Sequence, residues 1–125
     1  MNLYPVQCDL AIRPLSLNKL LRMSRWTRQG WVDTLAAMLD VAVSPGTKNA
    51  LVADQRKKKV SVTVFSLKEM DRDNLVGGTE KVLYDALKKV HYIVDDSPQW
   101  VDRHMEQQIV KDKREVCLRV RIEEA

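Results

Sequence analysis

The chain has 125 residues, 45% of them apolar and 30% charged, with a formal net charge of +4. That length makes one domain with its own core, residues 1–125, and is short for two. The composition excludes a chain disordered throughout, and no apolar run reaches the roughly 20 residues of a membrane-spanning helix.

The opening Met1-Asn2-Leu3-Tyr4-Pro5 has neither a charged leader nor an apolar signal core, so the expected location is the cytoplasm. Cys8 and Cys117 then read as buried thiols in preference to a disulfide. Val6 to Ile12 alternates apolar and polar residues, which predicts a strand ended by Pro14. Leu15-Ser16-Leu17-Asn18 reads as a loop. From Ser24, an N-cap, the period becomes helical: Val32, Leu35, Ala36, Leu39 and Val43 share one face until Ser44-Pro45-Gly46 stops the helix. Thr47 to Lys59 has no clear period and is expected to be a loop or a short helical turn.

Val60 to Leu67 is alternating and β-branched, a strand that leads into Asp71 and Asp73. Gly77-Gly78 is expected to interrupt the chain before Thr79 caps a second helix, with Val82, Leu83, Ala86, Leu87 and Val90 on one face. Tyr92-Ile93-Val94 ends in the turn signal Asp95-Asp96-Ser97-Pro98. Trp100 to Val110 reads as strand in its later part, and Val116 to Ile122 as the last strand. The expectation is a small α/β (α+β) domain in β-α-β-α-β-β order, a mixed sheet packed by two main helices.

The charge is unevenly spread. Arg13, Lys19, Arg22, Arg25 and Arg28 form a basic stretch interleaved with Trp26 and Trp31, and Arg56-Lys57-Lys58-Lys59 forms a second. Such clusters neutralise phosphates and release counterions. Between them, five aspartates fall within 26 residues: Asp71, Asp73, Asp85, Asp95 and Asp96. Carboxylates crowded without a counter-ion repel, and a divalent cation with hard oxygen ligands relieves them. If the extended geometry persists, Asp71 and Asp73 point the same way. The next helix is expected to return Asp95 and Asp96 toward them. Lys81, in the first turn of that helix, could meet a phosphate. Acids that hold a cation in a basic chain point to a nuclease.

Other chemistries fit poorly. Counted from Asp71, the fifth, sixth and twelfth positions of a calcium-binding EF-hand loop would be Leu75, Val76 and Val82, which supply neither the oxygen ligands nor the glycine. Gly77-Gly78-Thr79-Glu80-Lys81 lacks the spacing of a Walker phosphate loop. His91 and His104 have no partner at zinc-ligand spacing and read as structural or solvent-facing.

The pattern Asp71-x-Asp73-Asn74-Leu75, Lys81-x-x-x-Asp85-Ala86-Leu87, Asp95-Asp96 closely resembles the RusA family of Holliday-junction resolvases, homodimeric endonucleases of bacteria and their phages. The resemblance runs from Asp71 to Asp96. It implies that Asp71, Asp73 and Asp96 are the catalytic, metal-binding aspartates and that Lys81 is the essential lysine. Val76-Gly77-Gly78-Thr79 lengthens the stretch before Lys81 relative to the shorter family pattern, and His91 stands where a glycine is common.

Asn74, Asp85 and Asp95 are supporting residues, with Asp85 placed to pair with Lys81 four residues before it. The implied cofactor is Mg²⁺, with Mn²⁺ as the alternative. The implied partners are four-way branched DNA and a second copy of the chain, in a bacterial or phage-infected cell. The DNA contacts are expected at Arg13, Asn18, Lys19, Arg22, Arg25, Arg28, Lys57, Lys58 and Lys59, with Trp26 a candidate to stack on an exposed base. The competing readings are a catalytically inactive DNA-binding protein of the same fold and a purely structural protein.

Overall fold

The computed structural model describes residues 3–13 and 17–125. Pro14, Leu15 and Ser16, expected to end the first strand and open a loop, lie outside the described residues. Strand β1 spans Val6–Leu10. Three helices follow: α1 (Leu17–Arg22), α2 (Arg25–Ala42) and α3 (Pro45–Ala53). Then come β2 (Lys58–Ser66), α4 (Arg72–Leu75), a π-helical turn (Val76–Glu80), α5 (Lys81–Lys89), β3 (Val101–Ile109) and β4 (Cys117–Glu124). A short 3₁₀ turn, Lys113–Glu115, precedes β4.

The four strands form one mixed sheet in the order β1-β4-β2-β3. β4 is antiparallel to both β1 and β2, whereas β2 and β3 are parallel. The protein is a small α+β domain, with strands and helices in the expected coarse order. Along β2 burial alternates strictly, and Val60, Val62 and Val64 face the helices together with Leu118, Val120 and Ile122 of β4. Val32, Leu35, Ala36 and Leu39 of α2 and Val82, Leu83, Ala86 and Leu87 of α5 complete the core. Each fully buried valine or leucine among them contributes about 1.5–3 kcal/mol. The other sheet face is polar and laced with pairs such as Arg119–Asp9 at 2.9 Å.

Several local expectations are corrected. Leu17 and Asn18, read as part of a loop, instead open the helix Leu17–Arg22. Ser44-Pro45 ends one helix and also starts the next: Ser44 is the N-cap of α3, with proline in its first turn, where a missing N–H costs nothing. The Gly77-Gly78 pair does not break the chain. It lies in a π turn, with the Lys81 N–H bonded to the Val76 carbonyl, so α4, the π turn and α5 form one continuous helix. Thr79 is therefore buried within that helix and is not its cap.

The apolar run at Tyr92 and Ile93 lies in a turn with both side chains buried. That turn begins at His91, in the left-handed region at φ 63°. The His91 N–H bonds to the Lys88 carbonyl and the Tyr92 N–H to the Leu87 carbonyl, the two bonds of a Schellman cap. Cys8 and Cys117 are half-buried free thiols. Burial, helped by Asp9, pushes the Cys8 thiol up to about 11.

Candidate active site

The predicted acids sit on two different pieces of the fold. Asp71 occupies the N-cap of α4 and Asp73 its first turn, so the extended geometry that would align them does not persist beyond β2. The approach to Asp71 is fixed by Gln107 of β3, which both accepts from the Met70 N–H and donates to the Met70 carbonyl, each at 2.8 Å. An N-cap aspartate ordinarily accepts a bond from the first-turn amides. Asp71 does not. Neither the Asp71 nor the Asp73 carboxylate has a hydrogen-bond or ion-pair partner among the described residues, and both are exposed. Asp71 borders one concavity with Glu69, Glu106 and Gln107. Asp73 lines the adjoining one with Glu80 and Arg103.

Asp95 and Asp96 lie elsewhere. Because β3 is parallel to β2, the long helix must carry the chain back along the sheet before β3 can begin. The turn holding Asp95 and Asp96 therefore lies at the start of β3, beside the Lys58 end of β2, and not at the Ser66 end that leads into Asp71. Gln107, which fixes the approach to Asp71, and Arg103, which holds Asp96 and also lines the concavity of Asp73, are about 13 Å apart along β3 at roughly 3.3 Å per residue.

Asp96 is engaged by cations, with Oδ2 3.4 Å from Lys88 Nζ and 3.6 Å from an Arg103 nitrogen. The same guanidinium donates twice to the Asp96 backbone carbonyl, once at 3.2 Å. Burial alone would raise the Asp96 pKa, but Lys88, the hydrogen bond shared with Asp95 and Arg103 outweigh it and hold the carboxyl below its ordinary value. Asp95 acts as a turn acceptor, taking the Asp96 N–H at 2.8 Å.

Sequence reasoning missed the link between the two regions. Glu80 is buried and takes an Arg103 hydrogen bond at 3.0 Å, while the guanidinium lies 4.4 Å over the ring of Tyr84. Burial, reinforced by Glu80, pushes the Tyr84 phenol well above its ordinary value. A helical phase running through Glu80, Leu83, Tyr84 and Leu87 could have revealed Glu80, had Gly77-Gly78 not been read as a break.

Lys81 is exposed and sits 3.6 Å from Asp85, the expected pairing, and Asp85 is also 3.5 Å from Lys88. Asn74 is half-buried on α4. Among the described residues, no group of three or more His, Cys, Asp or Glu side chains could hold a metal ion. The donor chemistry at Asp71 and Asp73, two exposed carboxylates without counter-ions among the described residues, suits a hard divalent cation. Asp96 is already neutralised.

Of the expected DNA contacts, Arg13, Asn18, Lys19, Arg22, Arg25, Arg28 and Lys57 are exposed. α1, which carries Asn18, Lys19 and Arg22, packs against α4 and the π turn and so lies beside the first acidic pair. Trp26 is 85% exposed in the first turn of α2, whereas Trp31 packs against the core. Lys59 is half-buried near Arg103 and His104. Lys58 corrects the expectation outright. It is buried and donates to the carbonyls of Leu51 at 2.9 Å and Tyr92 at 2.6 Å, so it is unavailable to DNA. Burial depresses its pKa, with Asp54 opposing. No protein-family model matches the chain, and no curated protein matches it.

Proposed function

We propose that the chain is a Mg²⁺-dependent endodeoxyribonuclease acting on branched DNA, four-way junctions above all, as its resemblance to the RusA family implies. One observation carries the reading. Asp71 stands at a helix N-cap without capping it, and with Asp73 it leaves two carboxylates uncompensated beside a surface rich in arginine and lysine. Asp71 and Asp73 would hold the cation, with Asp96 as the third family aspartate. The chemistry supplied by bound Mg²⁺, or Mn²⁺, is polarisation of a phosphodiester and a more acidic attacking water. Lys81 would offset charge developing on the phosphate, and Asp85 orients its ammonium. Arg22, Arg25, Arg28 and Lys57 would neutralise phosphates of the arms. A two-fold dimer presenting two such sites would match the symmetry of a junction and place paired nicks.

The test is cleavage of a synthetic four-way junction with strand-specific labels. Wild-type protein with Mg²⁺ gives paired nicks, and Asp73→Asn binds the junction without cutting it. Undiminished cleavage by Asp73→Asn would sink the assignment. A second reading, an inactive DNA-binding protein of this fold, is favoured by the Lys88 and Arg103 contacts that already neutralise Asp96. Junction binding without nicks in both Mg²⁺ and Mn²⁺ would establish it.

A further inference from the structure

Cations from four separate segments line one groove of about 420 Å³: Arg13 after β1, Lys19 on α1, Lys68 after β2 and Lys113 in the 3₁₀ turn before β4. Its floor is apolar, built from Leu67, Met70 and Val116, and no acidic side chain lines it. Arg13, Lys68 and Lys113 are exposed, and none forms an ion pair among the described residues. The loop carrying Lys68 is held in place, because Ser66 Oγ donates to the Lys68 carbonyl at 2.8 Å.

In contrast to Arg13, Lys68 and Lys113, several arginines and lysines elsewhere on this surface are compensated: Arg56 by Asp54, Lys48 by Asp40, Arg114 by Asp112, Arg119 by Asp9. Like charges gathered without acids raise the local potential and favour an anionic partner. The floor adds a requirement that a bare phosphate does not meet, since it offers apolar contact to a flat, uncharged group between charges. A single nucleic-acid strand has both features, phosphates spaced along a backbone and bases with exposed faces. Position adds to chemistry: Met70 lines both this groove and the concavity bordered by Asp71, so the two are neighbours.

We propose that this groove binds a single strand of nucleic acid. Phosphates lie against Arg13, Lys68 and Lys113, an unpaired base lies on Leu67, Met70 and Val116, and the next phosphodiester is led toward Asp71. The direction of the strand rests on the nuclease reading; the binding itself does not.

The test measures binding of labelled dT20 and of a blunt duplex by anisotropy, across a salt series and without divalent metal, so that cleavage plays no part. The Lys68→Ala/Lys113→Ala double variant is compared with Lys48→Ala, which removes a lysine paired with Asp40 outside the groove. For the double variant, the slope of log K against log salt for dT20 is expected to become shallower by about 1.4, from roughly 0.7 per lost phosphate contact on a single strand. Its affinity for dT20 is expected to fall at least fivefold, with that of Lys48→Ala unchanged. Leu67→Ala is expected to weaken dT20 binding and spare the duplex. Circular dichroism confirms that each variant is folded.

An unchanged slope in the folded double variant overturns the proposal. So does an equal loss for strand and duplex, and so does competition by poly-glutamate as strong as that by unlabelled dT20, which would indicate an acidic protein partner instead. The two proposals fail separately. A wild-type protein that never nicks DNA but loses strand binding through these lysines ends the nuclease reading and keeps the groove. A double variant that binds and cuts junctions normally does the reverse.

Discussion

The two acidic pairs of this protein look alike in sequence and are held in opposite ways. Asp71 and Asp73 project from the start of a helix with no ion-pair partner among the described residues. Asp96 is neutralised by Lys88 and Arg103, and Asp95 is spent on its neighbour's amide. Proximity of acids in a sequence therefore does not measure how available they are. Availability depends on which cations the fold delivers to each pair, and Arg103 is delivered by a strand that starts only after the second pair.

The largest expected effect separates the pairs by activity and stability together. Asp73→Asn and Asp96→Asn should each lower junction cleavage more than about 100-fold, above the loss typical of an outer-sphere partner. Their metal-free unfolding free energies should diverge. Asp73→Asn should lie within about 0.5 kcal/mol of wild type, as for an exposed site without partners. Asp96→Asn should lose about 1 kcal/mol in urea unfolding, because a charge-assisted contact is removed. Equal stability for the two variants would erase the distinction.

Arg103→Ala probes the cation that links the regions. It leaves Glu80, whose side chain is 8% exposed, without its partner. Breaking a fully buried pair costs about 3–5 kcal/mol. Arg103 is itself 38% exposed, so a loss of about 2 kcal/mol is expected. Combining it with Glu80→Gln should recover part of that loss, and strict additivity of the two changes would show that the pair is not coupled.

The pH dependence is smaller. The Asp96 pKa is lowered by folding, so its contribution is present above the unfolded carboxylate value, near 3.9, and is lost as pH falls through the lower folded value. Stability of wild type and Asp96→Asn should therefore converge in acid and separate above about pH 4, by no more than about 1 kcal/mol. Curves that stay parallel throughout would remove Asp96 from the acid limb.

The smallest change acts on the turn that leads to the second pair. His91→Gly relieves a left-handed backbone at φ 63° and should raise stability by about 0.5–1 kcal/mol in thermal melts while leaving Asp71 and Asp73 untouched.

Much of the fold could be read in advance, because period-two and helical periodicity are imposed by burial on one face. Val60 to Leu67, Val116 to Ile122 and the stripe from Val32 to Val43 are such cases. The same alternation, run backward from Val60, reaches Lys58, so its burial was encoded. Charge hid it, since a lysine is rarely buried unless carbonyls converge on its ammonium. Glycine hid the continuity of the long helix: Gly-Gly usually marks a turn, but here Leu75, Thr79 and Val82 on either side are buried and keep the helix docked. The first acidic pair was legible as a motif. The company kept by the second was not, because Arg103 reaches Asp96 only through parallel strand pairing and Glu80 only through the unbroken helix.

That unbroken helix also has slack. A π turn holds one residue more than an α turn over the same stretch, and it absorbs the surplus without rotating what lies on either side. α4 keeps its aspartates, and α5 keeps Lys81 and Asp85, each docked on its own terms. The chain could therefore give up one residue between Val76 and Glu80, tightening the turn to α, with both ends still facing as they do now. Length is negotiable there, at a place between the acidic pairs where a change need not misalign either of them.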